Sequence, residues 1–215
     1  MPPATRTRRS PEARRAQLLD LGLELLAGRA SLDDLPMDEL AAAAGISKGL
    51  VFHYFGSKRE FQLAVAQAAA DDFFAVTEPD PELDLDAQLE QSIDAFVAYV
   101  RDHRDVYVNL VRGASSGDAA LRALFDRSRD RFVGRILERL GRGVEATPLL
   151  RLAVRGWVAL AEELTVAWAD EPEADGDAVR VLLRDSLAHV VLVGLTGEPA
   201  TASVASLAVS APPPR

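Results

Sequence analysis

Apolar residues recur every three or four positions along most of the chain, a spacing that places them on one face of an α-helix. In residues 11–28 this spacing follows the start signal Ser10-Pro11, since a serine can cap a helix and a proline fits its first turn. No segment alternates between apolar and polar residues for long enough to predict a strand. The pattern therefore predicts an all-α fold, with further helices at about residues 37–44, 47–55, 57–76, 86–102, 104–113, 118–140, 148–170 and 177–195.

The two shortest of these helices are separated only by a tight turn at Gly45-Ile46, which is the arrangement of a helix-turn-helix motif. In the second helix, Val51 and Phe55 share one face and would pack against the first helix. Gly49 and His53 lie on the opposite, outward face. An exposed glycine costs a helix about 1 kcal/mol relative to alanine, so its presence indicates that the backbone approaches another surface closely.

The distribution of charge suggests that the surface approached by this helix is negatively charged. The net charge is −9, but residues 1–60 carry nine Lys or Arg against eight Asp or Glu, whereas residues 61–215 carry 15 against 25. Both lysines of the chain, Lys48 and Lys58, flank the second short helix. Ser47 and Lys48 lie at its N-terminus, where free N–H groups favour a phosphate, and Tyr54 and Lys58 can reach phosphates on either side.

The remaining composition argues against several classes of function. There is no cysteine, which excludes thiolate chemistry, and His53, His103 and His189 belong to no metal-binding or triad spacing. We therefore expect no catalytic residue, no metal and no cofactor, and no enzyme. No apolar run approaches the roughly 20 residues of a membrane span, which favours a cytoplasmic protein without a membrane partner. A helical scaffold protein without specific DNA binding is the alternative.

The stretch "AAAAGISKGLVFHYFGSKREF" resembles the recognition region of the TetR/AcrR family of transcriptional regulators. The resemblance is specific over residues 10–75 and concerns only the layout of helices beyond them. It implies that major-groove contacts come from Ser47, Lys48, Gly49, Leu50 and His53. It also implies phosphate contacts from Tyr54 and Lys58, and minor-groove contacts from an N-terminal arm that carries Arg6, Arg8 and Arg9.

The sequence departs from the family pattern at three places. Leu35-Pro36 stands where the family usually has two threonines, so a phosphate-binding hydroxyl group is missing. Asp38 occupies a position where a basic residue is frequent. Phe52 replaces a common tyrosine. Each change is expected to weaken one contact with DNA.

The resemblance also implies a division of the chain. The break "TEPDPELD" follows the predicted helix at residues 57–76, which would connect two domains. The expected segments are a basic disordered arm at residues 1–9, a helix-turn-helix domain at 10–56, a helical effector-binding and dimerisation domain at 57–195 and a disordered tail at 196–215.

Two sets of residues in the second domain are candidates for further sites, although core packing is the default interpretation of each. In the family, the last two helices pair with their copies in a dimer. The candidates for this interface are Leu164, Trp168, Leu183, Leu187, Val190 and Val191. A mostly apolar pocket would suit a hydrophobic or aromatic molecule, and its candidates are Phe96, Tyr99, His103, Tyr107, Phe125 and Trp157.

The expected function is that of a ligand-responsive, DNA-binding transcriptional regulator. As a repressor, it would bind a palindromic operator in double-stranded DNA as a homodimer, and a small hydrophobic effector would release it. The sequence identifies neither the effector nor the operator.

Overall fold

The computed structural model describes residues 10–29, 31–115, 117–141, 145–171, 173 and 175–197. Within these ranges there are nine α-helices, one short 3-10 helix at Leu32–Asp34 and no strand. The α-helices are α1 (Pro11–Leu26), α2 (Met37–Ala44), α3 (Lys48–Phe55), α4 (Lys58–Val76), α5 (Leu85–Asp102), α6 (Arg104–Ser115), α7 (Ala119–Arg139), α8 (Pro148–Asp170) and α9 (Gly176–Thr196).

The predicted all-α fold is confirmed. The α-helices begin and end within two residues of their expected positions, and the 3-10 helix is the element that the pattern missed. Ser31 starts it by accepting a hydrogen bond from the backbone N–H of Asp33 (3.0 Å). Thr196, which was expected to begin the disordered tail, closes α9 instead, while the arm at residues 1–9 and the chain beyond 197 lie outside the described residues.

Local capping explains most of the helix boundaries around the helix-turn-helix motif. Ser47 Oγ accepts a hydrogen bond from the N–H of Leu50 (3.3 Å), and Ser57 Oγ accepts one from the N–H of Glu60 (3.1 Å). Gly45 ends α2 at φ 65°, in the left-handed region that glycine enters without steric cost. In a capping box the side chain three residues after the N-cap accepts a hydrogen bond from the N-cap backbone N–H; here Glu60 Oε2 accepts from the Ser57 hydroxyl group instead (3.0 Å).

One buried cluster, the head cluster, packs α1, α2 and α3 against α4. Its centre includes Leu18, Val51 and Phe61, which are fully buried. Helix α1 lies close to α4 at Gly22, where an added Cβ would lie 2.6 Å from Val65 Cγ2. The head cluster also takes in buried residues of α6 and α7, namely Val106, Leu110, Leu121 and Leu124. The helix-turn-helix region therefore shares its core with α6 and α7.

A second cluster holds α5, α7, α8 and α9 together, with Leu150, Val154 and Leu183 fully buried. Helices α8 and α9 cross closely at Gly194, where an added Cβ would lie 2.9 Å from Leu150 Cδ1. This pair forms one side of the molecule. No helix in the described part of the chain is long and apolar enough to cross a membrane.

Candidate functional site

Helix α3 presents one anchored face and one open face. Val51 and Phe55 are buried in the head cluster, while Gly49 and His53 are exposed on the outward side. Leu50, beside them, is 39% exposed. A Cβ added at Gly49 would find only Ser47 Oγ, at 3.9 Å, so the fold itself does not require a glycine there. The exposed side of α3, called the open face below, therefore has no side chain at its centre and has polar groups beside it.

Both lysines of this surface are paired within the chain. Lys48 Nζ lies 3.0 Å from Asp38 Oδ2, and Lys58 Nζ donates to the carbonyl oxygen of Asp33 (2.7 Å). The Lys48 and Asp38 side chains are 45% and 83% exposed, and ion pairs that exposed contribute at most about 1 kcal/mol. Each lysine can therefore exchange its internal partner for a phosphate at small cost.

The aromatic residues of α3 have more structural roles than their positions suggested. Tyr54 and Phe52 are half-buried and pack against the head cluster. The carbonyl oxygen of Tyr54 accepts from Arg15 Nη1 (3.0 Å), and the Arg15 guanidinium lies 4.2 Å above the ring of Phe55. The backbone of α3 is thereby held on α1. Arg6, Arg8 and Arg9 of the expected DNA-binding arm lie outside the described residues.

The departures at the start of α2 have clear local consequences. Pro36 is the N-cap residue and offers no side-chain hydrogen bond, which leaves α2 without the hydroxyl cap that its neighbours have. Asp38 in its first turn fits the positive end of the helix dipole. The same carboxylate holds Lys48, so it competes directly with any phosphate at the N-terminus of α3.

An apolar cavity of about 280 Å³ lies between α4, α5, α6, α7, α8 and α9. Phe96, Tyr107 and Trp157, three of the six pocket candidates, line it. Trp157 Nε1 donates to the carbonyl oxygen of Leu183 (3.1 Å) and contacts Ser186 Oγ (3.0 Å), so its polar edge is already satisfied. The rest of the wall is mostly aromatic and aliphatic, with a few charged residues. Its apolar members include Phe73, Leu89, Ile93, Phe132, Ile136 and Val191.

Three of the predicted pocket residues do not line this cavity. Tyr99 is buried one turn further along α5 and stacks on His103, with 4.3 Å between ring centroids. Tyr99 also contacts Phe73 of the cavity wall, with 5.0 Å between ring centroids. Phe125 packs against the head cluster instead. Helical spacing alone placed these three residues on an apolar face but could not indicate which core that face meets.

The comparisons with known proteins agree with this geometry. A family model described as "Bacterial regulatory proteins, tetR family" matches residues 18–65, and "Tetracyclin repressor-like, C-terminal domain" matches residues 85–190. A TetR-family transcriptional regulator from Streptomyces coelicolor is 29% identical, with a TM-score of 0.73, over 94% of this chain and 96% of that chain. A TetR-like regulator from Rhodococcus sp. RHA1 is 26% identical, with a TM-score of 0.62, over 89% and 100%. No curated protein matches the chain.

The chain belongs to the TetR family. It is therefore a DNA-binding transcriptional regulator. Regulators of this family are generally not enzymes, and they typically dimerise. The family model that covers the helix-turn-helix region, at residues 18–65, includes all of α3.

Two of the six residues expected at the dimer interface lie inside the core of this TetR-family chain. Leu183 and Leu187 are 0% and 5% exposed, so they belong to the chain's own core and a partner cannot contact them in this conformation. Val191 lines the cavity, and Leu164, Trp168 and Val190 are half-buried against the same core. The exposed apolar side chains of α8 and α9 lie on the outer face instead: Leu149, Leu152, Leu160, Val181, Leu182, Leu192 and Leu195.

Sequence reasoning also missed polar residues in the cavity wall. Among the described residues, three buried side-chain atoms have no hydrogen-bond partner: Gln88 Oε1, the Tyr107 hydroxyl oxygen and Arg135 Nε. All three belong to residues that line the cavity. Arg131, Arg135 and Arg139 recur every four residues, which places them on one face of α7, and this spacing was a signal that could have drawn attention to that helix.

Proposed function

We propose that this regulator represses transcription by binding a palindromic operator as a homodimer, and that a small apolar molecule in the cavity releases it. The observation that carries the proposal is the presence of both an exposed face on α3 and an apolar cavity between the later helices. Residues 10–56 act as the recognition domain, α4 as the connecting helix and the helices up to residue 195 as the effector-binding and dimerisation domain.

At the operator, α3 lies in the major groove. Its exposed residues Ser47, Lys48, Gly49, Leu50 and His53 face the base edges, and the absence of any side chain at Gly49 lets the backbone approach. Tyr54 and Lys58 hold phosphates, and Arg6, Arg8 and Arg9 extend the contact into the minor groove. The internal partners of the two lysines are exchanged for phosphates on binding.

Dimerisation places two copies of α3 on one side of the DNA. The outer face of α8 and α9 is the surface best suited to it, because its six leucines and one valine are 43–68% exposed. A two-fold dimer reads two half-sites about 34–36 Å apart, which explains why the operator must be palindromic.

Three helices connect the cavity with the recognition domain: α4, α6 and α7, of which α7 contributes Leu121 and Leu124 to the head cluster and Phe132 to the cavity wall. Helix α4 contributes Phe61 and Val65 to the head cluster and, three turns later, Phe73 to the cavity wall. Helix α6 contributes Val106 and Leu110 to the head cluster and Tyr107 to the cavity wall. A ligand that repacks the cavity therefore shifts side chains whose helices support α3. A coupling free energy of 1–3 kcal/mol would weaken operator binding roughly 5- to 150-fold.

The test begins with the DNA. Selection of bound fragments from a genomic or random pool should yield a two-fold symmetric site, and its affinity should fall steeply with salt concentration. Compounds that raise the melting temperature of the protein are then titrated into the complex with that site. Recovery of no preferred sequence would exclude an operator-binding repressor, and a stabilising ligand that leaves operator affinity unchanged would exclude release through the cavity.

A further inference from the structure

The chain between α1 and α2 is held in place by side chains from two later helices, α4 and α6. Its residues Arg29 and 31–35, which include the 3-10 helix, are called the joint below. Leu32 and Leu35 of the joint are buried in the head cluster. Because contacts between apolar side chains are not directional, they anchor the joint without fixing its exact position. The hydrogen bonds to its backbone supply that direction.

Helix α4 supplies two of these hydrogen bonds from successive turns. Lys58 Nζ donates to the carbonyl oxygen of Asp33 (2.7 Å), and Gln62 Nε2 donates to that of Leu32 (2.9 Å). Lys58 is exposed and, under the proposed function, exchanges this partner for a phosphate at the operator. Gln62 is only 3% exposed, so its hydrogen bond remains when DNA binds.

Helix α6 supplies a third hydrogen bond, across 80 residues of sequence. Asn109 Nδ2 donates to the carbonyl oxygen of Arg29 (2.5 Å). Val106 and Leu110 on either side of Asn109 are buried in the head cluster, so this part of α6 is itself held firmly. Tyr107, two residues before Asn109, lines the cavity. The hydrogen bond therefore joins a helix of the cavity wall to the joint.

The joint is connected to the recognition helices on its other side. The Arg29 guanidinium lies 3.1 Å from Glu39 Oε2 in the first turn of α2, and the joint leads directly into Pro36, the N-cap residue of α2. Leu40 of α2 and Val51 of α3 belong to the same buried cluster. A displacement of the joint therefore displaces α2, and α3 moves with it.

We propose that Asn109 is a positioning residue for operator recognition. Its hydrogen bond to Arg29 fixes the recognition helices relative to α6, and in the dimer it limits the spacing of half-sites that the two copies of α3 accept. One base pair added between the half-sites separates them by about 3.4 Å more along the DNA. The recognition helices follow that change more easily once the hydrogen bond is removed. The effect on spacing rests on the proposed function, whereas the contacts of Asn109 do not.

The first test needs no DNA. Asn109→Leu keeps roughly the size of the side chain and removes the donor. Loss of one hydrogen bond should make amide hydrogen exchange in residues 31–44 about two- to tenfold faster, because local opening of the joint and α2 becomes easier. Exchange in α8 and α9 should not change. Mass spectrometry of peptides from the full-length protein measures these rates, and unchanged exchange in residues 31–44 would show that Asn109 does not hold the joint.

Gln88→Met is the matched control. Gln88 Nε2 also donates to a backbone carbonyl oxygen, that of Leu83 (2.6 Å), but this bond lies at the start of α5. The variant should leave exchange in residues 31–44 unchanged. Equal acceleration there in both variants would show a general loss of stability and overturn the assignment. Should Asn109→Leu fail to fold, Asn109→Asp replaces it, since aspartate has nearly the same shape and, when ionised, no donor.

The second test uses the operator recovered by selection, together with versions that have one base pair added or removed between the half-sites. Fluorescence anisotropy gives the ratio of affinities for the original and altered spacings. This ratio should be about two- to tenfold smaller in Asn109→Leu than in the unmodified protein, and unchanged in Gln88→Met. If Asn109 has only a structural role, all operators weaken by the same factor and the ratio stays constant, which would overturn the proposal.

The two tests fail separately from the proposed function. If selection recovers no two-fold symmetric site, the proposed function is wrong, and hydrogen exchange still decides whether Asn109 fixes the joint. If a two-fold symmetric site is recovered but the spacing ratio is the same in Asn109→Leu as in the unmodified protein, the proposed function stands and the positioning role is wrong.

Discussion

The open face of α3 and the cavity meet their ligands in opposite electrostatic conditions. On α3 the charged groups are exposed and already paired, as Lys48 is with Asp38, so a ligand must displace an internal partner. The cavity wall is mostly apolar, and its buried charged groups, such as Arg135 with Glu78, are paired within the chain. Salt and charge competition should therefore control binding at α3, whereas burial of apolar surface should control binding in the cavity.

The two regions also differ in what they need to function. The cavity is formed entirely by helices of one chain, whereas one α3 can occupy only half of a palindromic operator. Loss of the dimer should therefore abolish tight operator binding and leave the cavity intact. This difference allows the two activities to be separated by mutation.

The largest expected effect comes from the outer face of α8 and α9. In Leu192→Glu, a side chain that is 54% exposed in the single chain would carry an unpaired charge into the dimer interface. Such a charge costs about 3–5 kcal/mol, so dimerisation should weaken roughly 150-fold or more. Sedimentation should show monomers, and operator affinity should fall accordingly.

Val76→Glu is the matched control for this change, because Val76 is 49% exposed but lies on α4. It should sediment as the unmodified protein does. A folded Leu192→Glu protein that remains dimeric at low micromolar concentration would exclude the outer face as the interface, and Leu152→Glu on α8 repeats the test from the other helix.

The second prediction concerns the head cluster, which the recognition helices share with α6 and α7. Leu110 belongs to α6 but is buried in the head cluster. Leu110→Ala should lower the free energy of unfolding by about 2–5 kcal/mol, because a cavity replaces the deleted methyl groups. Urea unfolding followed by circular dichroism measures it. Leu83→Ala, at a site 38% exposed, should change the free energy by less than about 0.5 kcal/mol.

A single cooperative transition in these experiments would show that the recognition domain and the body unfold together. The curve could instead show two transitions, one for each domain, with Leu110→Ala lowering only the midpoint of the body. The recognition domain would then be stable without α6. In that case α6 could not carry a signal from the cavity.

The third prediction concerns sequence readout at the open face. His53 is exposed on α3, opposite the buried pair Val51 and Phe55. His53→Ala should reduce discrimination at one base pair in each half-site by about 1–3 kcal/mol. Competition with operators substituted at single positions measures it. Equal weakening for every sequence would show that His53 contacts the DNA backbone instead.

The sequence predicted those features that depend on residues close together in the chain. Ser10, Ser47 and Ser57 are caps, and the apolar pair Val51 and Phe55 orients α3; each of these depends on residues within one helical turn. The open face of α3 follows from the same short segment. For this reason the helices and the outward residues of α3 were predictable.

The cavity and the outer face were not predictable in the same way, because both depend on which faces of distant helices meet. Tyr99 and Tyr107 carry the same side chain on successive helices, yet only Tyr107 lines the cavity. Leu187 and Leu192 are five residues apart on α9, and one is buried while the other is exposed. The internal partners of Lys48 and Lys58 also come from other elements. Sequence spacing carries no information on such pairings.

The smallest expected effect tests the competition at the start of α3. Asp38→Asn keeps the shape of the side chain but removes the charge that holds Lys48. Because an exposed ion pair contributes at most about 1 kcal/mol, operator affinity should rise by up to about fivefold. Lys48→Met should act in the opposite direction and should reduce the slope of log affinity against log salt by about 0.9. Fluorescence anisotropy at several salt concentrations measures both.

The double variant shows whether the two residues act together. If Asp38 weakens binding by occupying Lys48, Asp38→Asn should have a much smaller effect in the Lys48→Met background than alone. Glu39→Gln is the matched control, since it removes one charge from the same turn of α2 but frees Arg29 rather than Lys48. If Glu39→Gln and Asp38→Asn raise affinity equally, and both effects persist without Lys48, then general repulsion between α2 and the DNA is responsible. The ion pair between Asp38 and Lys48 would then have no specific effect on operator affinity.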